Sequence, residues 1–289
     1  MKYTEILNRD TESAFKPAWW LHNPHCQTLW PHLLRFTPPL KTQHERLELP
    51  DGDFVDLNWT LTPDSSTDSL RPSPIIIVLH GLQGSVRSQY ASGLLRAIEG
   101  MGWRGVFMHF RGCSGEPNRL ARCYHAGETE DLAALVATLR RREPYAPLAA
   151  VGFSLGGNVL LKWLGELGAR APLQAAVAVS VPFDLANTVQ RLEQGFSRIY
   201  QERLLLALGK ATRAKFTRIA TPENLGDLRR LRSMREYDDK VTAPLHGFTD
   251  ATDYYTRSSS RQYLKAIRVP TLILHAADDP FMTPQAIPA

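Results

Sequence analysis

The segment Gly152-Phe153-Ser154-Leu155-Gly156 follows an apolar run, Leu148 to Val151, and opens into residues at helical spacing. A serine in the pattern G-x-S-x-G between a strand and a helix sits on a tight turn that exposes its hydroxyl as a nucleophile. The glycines leave room for that turn and for the strand to pack closely on the helix. The free N–H groups and dipole of the helix N-terminus favour an anion developing beside the serine. A glycine-rich turn can also hold a phosphate; the strand before and the helix after Ser154 favour the nucleophile.

A second apolar run, Ile75 to Leu79, leads into His80-Gly81-Leu82-Gln83-Gly84. This pattern places a backbone N–H beside the nucleophile, so the expected oxyanion donors are the N–H groups of Leu82 and Leu155. The His80 side chain is expected only to order its loop. After the run Thr271 to Leu274 comes His275-Ala276-Ala277-Asp278-Asp279-Pro280. An acid at this strand end orients a catalytic histidine and stabilises its imidazolium. Asp279 stands three residues beyond the position usually held by glycine and is expected to be that acid, ahead of Asp278. Such sites run serine, acid, histidine along the chain. All nine histidines precede Asp279, and ten residues follow it. The expectation is therefore a chain that stops short of the histidine. His246 and His109 are the candidate substitutes, each with a plainer role in a loop or the core.

The elements that must position these residues alternate. Five continuous apolar runs are read as strands buried on both faces: Ile75–Leu79, Gly105–Met108, Leu148–Val151, Ala175–Val179 and Thr271–Leu274. Asp131–Arg142 and Leu155–Leu167 between them carry apolar residues three and four apart, as helices do. Strands alternating with helices give a mostly parallel, doubly wound sheet, whose ligands bind at the carboxyl ends of the strands. Val55, Leu57, Trp59 and Leu61 alternate with polar residues, which predicts a half-buried antiparallel strand after a Pro50-Asp51-Gly52 turn. Residues 63–74 read as a loop. Residues 1–44, with Trp19, Trp20, Trp30 and five prolines, read as an irregular packed arm. Residues 45–185 and 266–289 form the expected α/β core, and residues 186–265 a helical cap over the strand ends.

Composition narrows the function. The 289 residues are 43% hydrophobic and 22% charged, ordinary for a globular chain, with no apolar stretch long enough to cross a bilayer. No secretory signal is read at the N-terminus. Three widely spaced cysteines predict free thiols and a cytoplasmic location. The net charge of +5 is concentrated between residues 186 and 240, which hold 12 Lys and Arg against 7 Asp and Glu. This favours a solvated surface or peripheral contact of the basic cap with anionic lipid. No nucleic-acid motif accompanies the charge. His22, His25 and Cys26 lack the second ligand pair of a zinc site, so neither metal nor cofactor is expected.

These segments resemble the YheT-like branch of the α/β-hydrolases, related to the α/β-hydrolase-domain lipases and esterases. The resemblance spans nearly the whole chain. It is carried by Asn23-Pro24-His25-Cys26-Gln27-Thr28, Leu47 to Asp53, the string His109-Phe110-Arg111-Gly112-Cys113-Ser114-Gly115-Glu116-Pro117-Asn118-Arg119, Gly127 to Asp131, and Asp278 to Phe281. It implies an α/β-hydrolase fold whose C-terminal strand and helix are not represented, with Ser154 as nucleophile and Asp279 as acid. The histidine loop of that branch has no counterpart here. The implied activity is a serine carboxylester hydrolase acting on short- to medium-chain acyl esters or glycerolipids. The alternatives are an acyltransferase using an alcohol acceptor and an inactive acyl-binding relative.

Overall fold

The computed structural model describes residues 15–34, 40–61, 72–223, 225 and 231–288. The readings made for Met1 to Ala14, Pro38, Pro39 and residues 63–71 lie outside these.

Among the described residues seven strands make one sheet in the order β1-β2-β4-β3-β5-β6-β7. They are β1 (Thr42–Glu48), β2 (Phe54–Thr60), β3 (Ile75–Leu79), β4 (Arg104–Met108), β5 (Leu148–Phe153), β6 (Ala175–Val179) and β7 (Thr271–Leu274). β3 to β7 pair in parallel, and β2 runs antiparallel to both β1 and β4. The continuous apolar run of β3 is buried along its length, as a central strand covered on two faces requires. Ile75, Ile77 and Leu79 pack with Leu132 and Leu135 of α3 (Glu130–Arg142) and Val159 of α4 (Leu155–Leu167). Ile76 and Val78 turn the other way, against Leu95 and Ile98 of α2 (Gln89–Gly100). Successive side chains thus serve opposite layers, and the sheet is doubly wound as expected.

Between β6 and β7 the described residues are mostly helical: α5 (Leu185–Leu192), α6 (Ser197–Phe216), α7 (Met234–Tyr237), a π turn (Asp238–Thr242), α8 (Ala243–His246) and α9 (Ala251–Ser258).

Three expectations need correction. The arm is not wholly irregular: α1 occupies Pro24–Leu34. Asn23 caps it, its Oδ1 accepting from the N–H groups of His25 and Cys26, and proline at the first helical position is compatible with that start. Nor are the tryptophans packed away, since Trp19 is 85% exposed and Trp20 and Trp30, which meet edge to face, are also exposed. β7 is not buried on both faces. Leu272, Ile273 and Leu274 are exposed because this strand forms the edge of the described sheet. In β2 the alternation fails at Asp56, which is 3% exposed. Arg46 and Ser114 cover it and satisfy its carboxylate, at 2.8 and 2.6 Å.

Candidate active site

The strand ends converge on one cavity of about 1490 Å³. Gly81 and Leu82 after β3, Arg111 after β4, Ser154 after β5, Ser180 after β6 and Asp279 after β7 all line it. Gln83, Ser154 and Ser180 are the only non-glycine residues with positive φ among those described, and all three line the cavity. Strained backbone gathers at such sites when the surrounding fold holds it in place.

Ser154 has φ 51° and ψ −119°, and it is exposed to the cavity. Its N–H donates to Val179 O on β6 at 2.8 Å, and its carbonyl accepts from Asn158 N at 3.0 Å. Its hydroxyl has no hydrogen-bond partner among the described residues. The turn depends on bare backbone around it. A Cβ on Gly152 would come 2.5 Å from Gly156 O, and one on Gly156 would come 2.6 Å from His80 O. Asn158, fully buried one turn into α4, braces the helix. Its side chain donates to Ala126 O and Ser258 O, both at 2.8 Å, and accepts from Ser260 N at 2.9 Å.

The loop after β3 lies against this turn: a Cβ on Gly81 would stand 3.2 Å from Ser154 Cβ and 3.7 Å from its Oγ. Two tyrosines hold the loop on either side of Leu82. Gly81 N–H donates to Tyr90 Oη at 3.1 Å, and Gln83 N–H donates to Tyr124 Oη at 2.9 Å. The N–H of Leu82 between them has no partner among the described residues, nor does that of Leu155 at the start of α4. An exposed hydroxyl beside unpaired amide donors is suited to adding to a carbonyl whose oxygen becomes anionic. Tyr90 and Tyr124 went unrecognised in the sequence. Tyr124 is 41 residues from Gln83, and no local pattern marks it.

His80 orders its loop as expected. It is fully buried, its Nδ1–H donates to Gly81 O at 2.6 Å, and its Nε2 accepts from Phe110 N at 3.0 Å. Burial pushes it down to about 3, so it stays neutral. His109 is likewise a core residue, with Nε2 2.9 Å from Asn58 Oδ1, and burial lowers it to about 4. His246 lines the cavity, but its Nδ1 is 2.7 Å from Thr242 O and its Nε2 accepts from Cys123 N at 3.2 Å. His125 meets it edge to face, with 4.6 Å between ring centres. Burial pushes both rings below the usual imidazole range.

Asp279 is half-buried in the cavity wall. Its Oδ1 accepts from Phe281 N at 2.8 Å, and its Oδ2 lies 3.3 Å from His275 Nε2. His275 does not line the cavity, and neither of its buried ring nitrogens makes a hydrogen bond among the described residues. Asp278 also lines the cavity but is exposed. The Asn23-to-Thr28 arm reaches the site too: Pro24, Gln27 and Thr28 of α1 line the cavity. Among the described residues no cluster of His, Cys, Asp or Glu could hold a metal ion.

Residues 74–289 match the family model of the alpha/beta hydrolase fold. The chain is 48% identical to YheT of Escherichia coli, provisionally named an esterase, over 99% of this chain and 83% of that protein. It is 31% identical to the mouse phospholipase ABHD3 over 95% of this chain and 67% of that protein. A monoacylglycerol lipase of Saccharomyces cerevisiae is 31% identical over 76% of this chain and 51% of its own length. Among solved structures, an acylaminoacyl peptidase of Pyrococcus horikoshii matches with a TM-score of 0.51 and 14% identity, over 85% of this chain and 33% of that one. That last likeness is one of fold. With the sheet order, the family match and the near full-length relatives together, the chain belongs to the α/β-hydrolase family, in its YheT-like branch.

Proposed function

We propose that the protein is a serine carboxylester hydrolase acting on short- to medium-chain acyl esters or glycerolipids through an acyl-serine intermediate. The observation that carries this reading is Ser154 itself. It is held at positive φ with a free hydroxyl, beside the unpaired N–H groups of Leu82 and Leu155. The names of its relatives, which include a phospholipase and a monoacylglycerol lipase, support the reading.

In the first step Ser154 Oγ bonds to the ester carbonyl carbon and loses its proton to a base, while the carbonyl electron pair moves onto oxygen. The Leu82 and Leu155 N–H groups hold that oxyanion. The carbonyl re-forms, the alkoxide leaves with a proton, and the acyl group stays on Ser154. Water then repeats the addition and frees the acid. In this reading Asp279, one of whose oxygens accepts from Phe281 N–H, is the acid that orients an imidazole. His80, His109 and His246 are engaged as described above and are not assigned as the base. Because the three thiols are free, a reducing cytoplasmic setting accompanies this reading.

The test is a fluorophosphonate bearing an alkyl chain, with the adduct mapped by peptide mass spectrometry. Phosphonylation of Ser154 is expected. No adduct, or one on another residue, overturns the nucleophile and leaves acyl binding without turnover.

The same reading extends to peripheral contact with anionic lipid. Trp19, Trp20 and Trp30 lie exposed in and beside α1, which lines the cavity. Phe196 and Ile199 are exposed at the start of the basic helix α6, and the His25 ring of α1 packs at a tilt against Phe196, 4.6 Å between ring centres. Amphipathic indoles suit a membrane interface, and basic side chains suit anionic headgroups. Among the described residues no helix is long and apolar enough to cross a membrane. Sedimentation with phosphatidylserine-containing vesicles should exceed that with pure phosphatidylcholine, fall with added salt, and drop severalfold in Trp19→Ala/Trp20→Ala. Equal sedimentation with both vesicles would count against it.

A further inference from the structure

A second nucleophilic group faces the cavity, on residues the ester chemistry does not use. Cys123, in the segment between β4 and α3, and Lys215, in the last turn of α6, both line it. The Lys215 side chain is deeply buried. Its ammonium donates to Arg122 O at 2.6 Å, Asn118 Oδ1 at 2.8 Å and Cys123 Sγ at 3.3 Å. Those three contacts use all three N–H groups. Two go to neutral carbonyl oxygens, and no carboxylate lies within ion-pair distance among the described residues. Asp53 reaches the ammonium only through the Asn118 amide.

Burial pushes Lys215 below the usual lysine range, which makes its proton easier to hand on. Donation from a cationic side chain to the sulfur is the setting in which a cysteine becomes reactive. The backbone of Cys123 is fixed as well, its N–H donating to His246 Nε2 at 3.2 Å. The other two cysteines lack this setting. Cys26 is exposed on α1, and burial pushes the Cys113 thiol up to about 12. Leu208, Val241 and Leu245 line the same cavity, so what reaches Cys123 meets apolar walls.

We propose that Cys123 is an electrophile-sensitive thiol of the cavity, taking α,β-unsaturated carbonyl compounds that carry an alkyl chain. The sulfur electron pair forms a bond to the β-carbon, and the carbon–carbon π pair moves to the α-carbon. The thiol gives its proton to solvent, the α-carbon takes one from the Lys215 ammonium, and the resulting amine takes one back from solvent. The sum is thiol plus alkene giving thioether, with no oxidant and no leaving group. The step does not depend on the assignment of Ser154.

The experiment treats the full chain with N-ethylmaleimide at pH 7 and follows all three cysteines by quantitative peptide mass spectrometry. Cys123 should react at least ten times faster than the more exposed Cys26, while Cys113 stays unlabelled. Lys215→Met should bring the Cys123 rate down to that of Cys26 or below. A second measurement needs no variant: changing the probe to N-dodecylmaleimide should raise the Cys123-to-Cys26 ratio further, because the alkyl chain enters the cavity. A Cys123 rate no greater than that of Cys26 with both probes overturns the proposal. So does a fast Cys123 rate that survives Lys215→Met in a folded protein.

Discussion

Ser154→Ala is expected to reduce hydrolysis of a p-nitrophenyl ester series, acetyl to decanoyl, to the rate of buffer alone, with unfolding free energy nearly unchanged. Deleting a nucleophile removes the acyl-enzyme route altogether, a loss of roughly two or more orders of magnitude even where other elements of a triad are weak. The hydroxyl makes no hydrogen bond among the described residues, so its loss leaves no orphaned partner. Ser154→Gly should lose the same activity and yet be more stable than Ser154→Ala by about 1 kcal/mol. A non-glycine residue at φ 51°, ψ −119° stores about 1–3 kcal/mol of strain, part of which glycine returns as added freedom of the unfolded chain. Urea unfolding of the two variants checks this. Hydrolysis by Ser154→Ala at the parent rate would remove the nucleophile assignment. A glycine variant less stable than the alanine one would show that the turn is not strained.

How much of this was readable in the sequence depends on the range of the interaction. The central strands declared themselves because burial on two faces demands an uninterrupted apolar run, and Ile75 to Leu79 has no other use. The turn at Ser154 was readable for a similar reason. Gly152 and Gly156 face backbone at 2.5–2.6 Å, where no side chain fits, so composition and geometry coincide. What stayed hidden was held from a distance. Tyr90 and Tyr124 pin the Leu82 loop through hydroxyls that follow no spacing rule. Asp56 sits where alternation puts solvent, but Arg46 and Ser114 cover it. Helix α1 was masked by its prolines, although Asn23 followed by Pro24 is itself a helix-start signal. Exposure of β7 could not be read from an apolar run, since composition does not say which strand is the edge.

Three strings singled out by resemblance acquire a physical reason at Arg111, which is 3% exposed. Its guanidinium donates to Asp131 Oδ1 at 2.6 Å and Oδ2 at 2.9 Å, to Asp51 at 2.6 Å and to Asp53 at 3.2 Å. The turn at residues 51–53, the string after β4 and the start of α3 are thus tied at one cation. Its neighbour Phe110 holds His80, which leads into Gly81 and Leu82. The network therefore anchors the loop that carries Leu82, although it makes no contact with Ser154.

Arg111→Met should cost about 3–5 kcal/mol, because it leaves the buried Asp131 carboxylate without its cation. Asp53 should tolerate the change better. Asn118 and the N–H groups of Phe54, Arg119 and Leu120 also hydrogen-bond it. Adding Asp131→Leu to Arg111→Met should then recover more than half of the loss, since the uncompensated charge is gone. Acid sensitivity gives an independent reading. Burial pushes Asp51 and Asp53 up, but hydrogen bonds, from Arg111 for Asp51 and chiefly from Asn118 for Asp53, bring both below the ordinary 3.8. Carboxylates lowered in the folded state contribute stability that is complete above that value and fades as pH falls through their folded values. Arg111→Met removes the hydrogen bond that lowers Asp51, so the stability gap between the variant and the parent chain should shrink as pH falls through the folded value of Asp51 in the parent. Denaturant titrations from pH 7 to pH 3 measure both effects. A loss below about 1 kcal/mol at pH 7, or no gain from the second substitution, would mean that Arg111 is not what holds these segments together.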